Sequence, residues 1–376
     1  MTDRIREFLR NRREDGPCVV VDLDVVRANY AAFARALPDT RVFYAVKANP
    51  APEVLGVLAE LGSCFDTASV AEIEMALAAG ATPDRISFGN TIKKERDIAR
   101  AFELGVRLFA VDAKAEVEKV ARAAPGARIF CRILCDGAGA EWPLSRKFGC
   151  DPDMAADVLE HGHRLGLAAY GVSFHVGSQQ KNVEAWDGAL ASAAAIFEEC
   201  ALRGLPLSLV NLGGGFPAKY LQDVPAAEAY GEAIFRALSR HFGNHLPETI
   251  IEPGRGMVGA AGMIEAEVVL ISTKSDDDAM RWVYLDIGKF GGLAETMDEA
   301  IRYPIRTERD GDAVEPCVLA GPTCDSADVM YEKDPVLLPV SLAIGDKVLI
   351  EATGAYTTTY SAVAFNGFDP LRSYVI

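Results

Sequence analysis

Apolar and polar positions in this 376-residue chain change texture once, near residue 260. Before that point short apolar runs of strand length alternate with stretches of helical period. Residues 2–14 predict a short amphipathic helix, with Thr2 as N-cap and Ile5, Phe8 and Leu9 on one face. Gly16-Pro17 ends it, Cys18–Val21 reads as a strand, and Asp22–Leu37 reads as a helix. The runs then recur at 42–46, ending at Lys47; weakly at Cys64-Phe65, ending at Asp66; at 86–88, before Gly89-Asn90; and at 108–111, before Asp112. Four more lie at 129–134, containing Arg132; 169–174, before His175; 207–212, before Gly213; and 249–251, before Glu252. Helix-period segments separate them at 52–61, 69–79, 93–104, 114–124, 153–165, 184–203 and 226–242.

Eight strands with helices between them predict repeated βα units, as an open doubly wound sheet or a (β/α)8 barrel. Polar residues gathered at strand carboxyl ends favour the barrel, whose active sites are built there. A polar residue after any single strand can simply mark where the strand stops. That account explains poorly why Lys, Asp, Arg, His, three glycines and Glu all fall in or just after these runs.

Beyond residue 260 helices become scarce, and Met263–Ser272, Arg281–Ile287, Val314–Leu319 and Lys347–Glu351 read as strands. Lys274 to Asp278 is a solvated turn. The chain thus divides into a barrel over 24–260 and a β-rich domain made of 1–23 and 261–376, which the Cys18–Val21 strand joins.

Composition narrows the function. Half the residues are hydrophobic, enough for a large core, yet no run of 18 apolar residues suggests a membrane span. The formal net charge of −16 opposes binding to nucleic acid or anionic membranes, but not to a small cation. The charged start Met1 to Glu7 lacks an apolar signal core, and the eight cysteines show neither C-x-x-C pairs nor metal-finger spacing. A cytoplasmic protein with reduced thiols and no metal is expected.

Several residues carry candidate chemistry. A lysine abutting a buried strand, as Lys47 does, is either a solvated strand end or a desolvated, nucleophilic amine. Gly213-Gly214-Gly215 suits close approach of backbone to a phosphate, or a tight turn. Glu252 and Arg255 offer an anion for a heteroaromatic N–H and a cation for a phosphate, or a surface ion pair. His175 after its strand is packed or catalytic; Ser178 caps a turn or donates to phosphate. Cys324, in the polar loop Gly321-Pro322-Thr323-Cys324-Asp325, is a reactive thiol or a structural one. Tyr356, two residues after Gly354, can reach a phosphate with its hydroxyl.

Together these segments resemble the fold-type III pyridoxal-phosphate decarboxylases of basic amino acids, nearest to the bacterial ornithine decarboxylases. The resemblance runs from Tyr44-Ala45-Val46-Lys47-Ala48-Asn49 through Phe65-Asp66-Thr67-Ala68-Ser69, Phe174-His175-Val176-Gly177-Ser178-Gln179 and Leu212-Gly213-Gly214-Gly215-Phe216-Pro217 to Glu252-Pro253-Gly254-Arg255. It continues through Gly321 to Asp325, Gly354 to Thr357 and Phe365-Asn366-Gly367-Phe368. It implies an alanine-racemase-like fold, a (β/α)8 TIM-like barrel followed by a C-terminal β-rich domain, and a homodimer with two shared active sites. It implies L-ornithine decarboxylation to putrescine, with pyridoxal 5′-phosphate bound to Lys47. Glu252 would pair with the ring nitrogen and His175 would stack on the ring. Ser178, Gly213, Gly214, Gly215, Arg255 and Tyr356 would hold the phosphate, with Asp66, Glu72 and Arg132 beside Lys47. Cys324 would return the proton after CO2 loss, Asp325 would bind the distal ammonium, and Phe365 would pack near the reacting centre. Lys147, in Ser145-Arg146-Lys147-Phe148-Gly149, would pair with Asp328 across the interface. The second distal acid falls in Leu293 to Glu299, where Glu295, Asp298 and Glu299 all qualify, so the preference between ornithine and lysine stays open. A dual lysine/ornithine enzyme, a diaminopimelate or carboxynorspermidine decarboxylase, a racemase on a related barrel and a non-catalytic regulatory homologue are the alternatives.

Overall fold

The computed structural model describes residues 2–142, 147–278 and 280–376. These form two compact units, one built from Arg27–Pro217 and Val224–Met257, the other from Met1–Val26, Ala218–Asp223 and Val258–Ile376.

The first unit is a closed parallel barrel of eight strands. They are Thr40–Ala45, Cys64–Thr67, Ile86–Phe88, Leu108–Val111, Arg128–Arg132, Ala168–Ser173, Leu209–Asn211 and Glu248–Ile251. The first pairs with the last, Ile251 against Val42, which closes the ring and leaves no edge. Phe43, Cys64, Leu108, Ala110, Phe130, Leu209 and Ile250 pack into one buried cluster, with Tyr170 against it. A TIM-like barrel is a filled core of this kind, so its chemistry is confined to the strand ends and the loops beyond them.

Local chemistry sets where the helices begin. Val70–Ala78 starts at Ser69, whose Oγ accepts the Glu72 N–H at 3.3 Å, while Glu72 Oε2 accepts the Ala68 N–H at 2.6 Å. This S-x-x-E arrangement fixes Glu72 in the first turn. Pro152–Arg164 starts at Asp151, whose carboxylate accepts the Asp153 N–H at 3.0 Å, with proline in the first turn. In the Ala185–Leu202 helix, fully buried Trp186 donates from Nε1 to Leu212 O at 3.1 Å and stacks on Phe216 at 5.1 Å between ring centres. The glycine run thus lies between two residues that this indole holds.

The second unit is an eight-stranded sheet. Its main path runs Ile305–Thr307, Lys347–Glu351, Gly262–Ser272, Arg281–Leu285, Val314–Ala320, Val329–Pro339. The Cys18–Val21 strand pairs antiparallel with Gly262–Ser272 and parallel with Arg372–Val375. The helix Asp3–Asn11 is capped by Thr2, whose Oγ1 accepts the Ile5 N–H at 3.3 Å.

The alternation of residues did not foretell Val329–Pro339, because Glu332-Lys333-Asp334-Pro335 reads as a turn. The segment persists as a strand because it lies at the end of the sheet path, where proline's missing N–H breaks no interior ladder. Its register against Val314–Ala320 shifts across these residues, from Cys317 opposite Val336 to Leu319 opposite Tyr331. The short hairpin-like pair Ala140–Trp142 and Ser178–Gln180 was also unforeseen. Among the described residues no helix is long and apolar enough to cross a membrane, and no group of three potential metal ligands could hold an ion.

Candidate active site

The strand ends of the barrel bring most of the expected residues into one region. Lys47 sits in a 3-10 turn, Val46–Ala48, directly after Thr40–Ala45, and that strand's last residue donates its N–H to Pro253 O at 3.2 Å. The turn carrying Lys47 and the turn carrying Glu252 are therefore tied together by backbone. Asp66 lies in the Cys64–Thr67 strand and Arg132 ends Arg128–Arg132.

The charges of Glu252, Lys47, Glu72 and Arg132 all bear on Asp66. Burial pushes the Asp66 carboxyl well above its usual range and Glu252 adds to the rise; Lys47 and Arg132 oppose it. Burial also raises Glu252, against a hydrogen bond from Asn211 and the charges of Arg132 and Lys47. Glu72 is raised by burial and held back by its bond from Ala68 and by Lys47. His175 moves the other way, to about 3, through burial and then the cations Arg132 and Lys47. It is a neutral imidazole whose Nδ1 accepts the Gly177 N–H at 3.0 Å. A neutral, oriented ring can stack on an aromatic plane without adding charge to it.

The glycine run is required by close packing. Gly213 has φ 67°, and a Cβ there would meet Phe174 O. A Cβ on Gly214 would come within 2.6 Å of Glu252 O and 3.3 Å of His175 Nε2. Gly215, at φ 103°, backs onto Gly177 O. Three bare backbone units thus pack directly against the backbone of Phe174, Glu252 and Gly177, with no side chain between them and these neighbours. Buried Arg255 donates to Ser178 Oγ at 3.3 Å.

Asn211 was missed in the sequence. It is wholly buried, donates from Nδ2 to Glu252 Oε1, and accepts the Gly213 N–H at Oδ1 at 2.9 Å. One side chain thereby fixes both the carboxylate and the start of the glycine run. Its only signal was a polar residue at the end of an apolar strand, which alone is uninformative.

Tyr356, Cys324, Asp325, Phe365, Glu295, Asp298 and Glu299 lie in the second unit. Cys324 is exposed, and its N–H is held by Asn366 Oδ1 at 2.7 Å. Phe365 packs on Phe290 at 4.9 Å between ring centres. The thiol loop and the 365–368 turn therefore form one cluster, with Asp325 exposed beside the thiol. Behind it, buried Asp328 accepts the N–H groups of Lys289 and Thr323 at 2.8 and 3.1 Å and the Thr323 hydroxyl at 2.7 Å.

Tyr356 has φ 57° and stands 6.0 Å from the Tyr360 ring. The three acids differ sharply. Glu299 accepts the N–H groups of Glu332, Lys333 and Asp334 and pairs with Arg302 at 3.0 Å. Glu295 is buried, whereas the Asp298 side chain is 88% exposed. Of the 145–149 segment, Ser145 and Arg146 lie outside the described residues; Lys147 sits 5.0 Å from the Phe148 ring centre.

A half-buried carboxylate held by Asn211 beside a glycine run, a neutral imidazole, an Arg–Ser corner and a lysine at a strand end fit a phosphorylated heteroaromatic aldehyde. The donor set matches its ring nitrogen, ring face, phosphate and carbonyl in turn.

Comparison with known proteins agrees. The family described as pyridoxal-dependent decarboxylase, pyridoxal binding domain, matches residues 23–259. A lysine/ornithine decarboxylase of Selenomonas ruminantium is 36% identical over 359 residues, 95% of this chain and 88% of that protein. Antizyme inhibitor 2 of Xenopus laevis is 34% identical over 93% of this chain and 78% of its own. The crystal structure of the Vibrio vulnificus lysine/ornithine decarboxylase complexed with putrescine superposes with a TM-score of 0.87 at 32% identity, covering 99% of this chain and 97% of that one. The chain therefore belongs to the pyridoxal-phosphate-dependent decarboxylases of basic amino acids, binds pyridoxal 5′-phosphate and removes the carboxyl group of a basic amino acid.

Proposed function

We propose that the protein decarboxylates L-ornithine to putrescine, the entry step of polyamine synthesis, as a cytoplasmic homodimer with two shared active sites. Carrying the proposal is one arrangement: the barrel's strand-end set of exposed Lys47, half-buried Glu252 and buried Arg255, together with an exposed thiol and adjacent carboxylate on the second unit. Pyridoxal phosphate, when bound, supplies an electron sink for the charge left by departing CO2.

Lys47 Nζ is the covalent anchor. Glu252 accepts the ring N–H, and Asn211 keeps that carboxylate oriented. His175 covers the ring face as a neutral imidazole. Arg255, Ser178 and Tyr356 bind the phosphate with the N–H groups of the glycine run. Asp66, Glu72 and Arg132 set the field around Lys47. Cys324 Sγ returns a proton to the substrate carbon that loses CO2, and Phe365 shields that carbon from water.

Asp325 and Asp298 receive the distal ammonium. Asp298 is preferred among the three acids because Glu299 is engaged by three backbone donors and Glu295 is buried. All eight cysteines are free thiols, which supports a reducing compartment.

The test is kcat/KM for ornithine, lysine, arginine and diaminopimelate measured side by side. Ornithine should lead, with lysine detectable; equal or higher efficiency on lysine refutes the ornithine assignment. The likeness to antizyme inhibitor 2 supports a second reading, a non-catalytic regulator. Lys47 and Cys324 are both present, which weighs against it. A lysine-bound cofactor band in the visible spectrum, lost in Lys47→Ala, excludes that alternative, and its absence in reconstituted protein supports it.

A further inference from the structure

One buried cation stands outside the groups used above. Lys93 follows the Ile86–Phe88 strand, and its side chain has no exposure. Its ammonium donates to Asn90 O at 2.8 Å and Ala110 O at 2.6 Å, and it lies 3.0 Å from Glu116 Oε1. Glu116, itself 5% exposed, also pairs with Lys119. Burial lowers Lys93 to about 8, with Glu116 acting against the fall.

A buried ion pair of this kind is weak evidence for stability, because desolvation offsets much of the attraction. Its geometry points elsewhere. The ammonium clamps the turn from Gly89 to Ile92 onto the end of the Leu108–Val111 strand. That turn faces the cofactor-side carboxylates. Gly89 donates its N–H to Thr67 O at 2.9 Å, and a Cβ on it would strike the Asp66 carboxylate. Asn90 Nδ2 donates to Ala68 O at 3.3 Å, and the Ala68 N–H is the group that holds Glu72 Oε2.

We infer that Lys93 is a positioning residue of this active site: by pinning the Gly89–Ile92 turn it fixes Asp66 and Glu72 beside Lys47. The inference rests on Asp66 and Glu72 flanking the cofactor, as proposed above. Removing the ammonium frees the carbonyls of Asn90 in the turn and Ala110 in the strand, and lets the turn withdraw from Asp66. The carboxyl then resamples the charges of Glu252, Lys47, Glu72 and Arg132 that face it.

The experiment uses the full chain and compares Lys93→Met with Glu116→Gln. Glu116→Gln leaves the ammonium's two carbonyl bonds in place. Three quantities are read: the pyridoxal-phosphate dissociation constant, the pH midpoint of the bound-cofactor absorption band, and Tm without cofactor. Lys93→Met should weaken cofactor binding on the order of 10-fold, the scale of one or two displaced hydrogen bonds, and move the midpoint by about half a pH unit or more. Glu116→Gln should lower Tm yet bind cofactor within about 2-fold of the parent and keep its midpoint.

Parental binding and midpoint in Lys93→Met overturn the inference. So does equal disturbance of the site in both variants, since the site would then only follow stability. If Lys93→Met does not fold, Asn90→Ala, which removes the amide on Ala68 O and the Oδ1 that accepts the Ile92 N–H within the same turn, should weaken binding in the same direction, and an unchanged constant overturns the inference. A parent protein that binds no cofactor overturns the functional proposal together with this inference. A parent that binds, with variants that do not differ, overturns this inference alone.

Discussion

Asn211→Ala probes how the cofactor's ring nitrogen is read. In the parent this side chain makes two buried bonds, one to Glu252 and one from the Gly213 N–H. A hydrogen bond to a charged group contributes about 1.5–3 kcal/mol, and an orphaned buried N–H costs about 1–3 kcal/mol. The cofactor-free variant should therefore lose roughly 2.5–6 kcal/mol of stability.

The electrostatic consequence is separate. The Asn211 bond opposes the rise that burial imposes on Glu252, so its loss moves that carboxyl still higher. Only ionised Glu252 accepts the ring N–H. Cofactor affinity in the variant should thus be lost at a higher pH than in the parent, and recover as pH rises.

Equilibrium titration with pyridoxal phosphate over about two pH units either side of neutrality measures both the depth and the midpoint. Asn211→Asp is the isosteric control. It keeps the acceptor for Gly213 but places a second carboxylate against Glu252, and should bind more weakly still. An Asn211→Ala protein with the parent's affinity at every pH would refute this role for Asn211.

Three further outcomes are expected. The raised Asp66 means that the folded chain keeps a proton which the unfolded chain has released above its ordinary value of 3.8, so this contribution is complete below that value. It is lost as pH rises through the folded pKa, and the fall with pH in cofactor-free stability, measured by urea unfolding at several pH values, should be shallower in Asp66→Asn; an unchanged slope refutes the assignment. Gly213→Ala forces a side chain into left-handed backbone and onto Phe174 O, and should cost about 3 kcal/mol or more by urea midpoint; a loss under about 1 kcal/mol would show that the run can shift. Asp298→Glu shortens the amine pocket by about one methylene and should lower kcat/KM for lysine relative to ornithine by roughly 10-fold; an unmoved ratio removes Asp298 from the pocket.

The barrel was legible because hydrophobic period is local. A strand of four apolar residues such as Leu108–Val111, with all four buried, announces itself without its neighbours. Lys47, Glu252 and His175 could be picked out because they break such runs at the carboxyl end. Val329–Pro339 was illegible because the signal depends on where the strand lies in its sheet. An edge tolerates Pro335, and periodicity carries no word about edges.

By itself, the sequence determined the alternation of strands and helices, the polar residues that end them and the acidic surface, since each depends on neighbours a few positions away. Only the tertiary structure decided which buried polar groups meet. Barrel closure sets Asn211 against Glu252, 41 positions on, and brings Lys93 to Ala110 O, 17 positions on. A buried donor must find its acceptor wherever the fold puts one, so such pairings follow register and closure rather than local pattern.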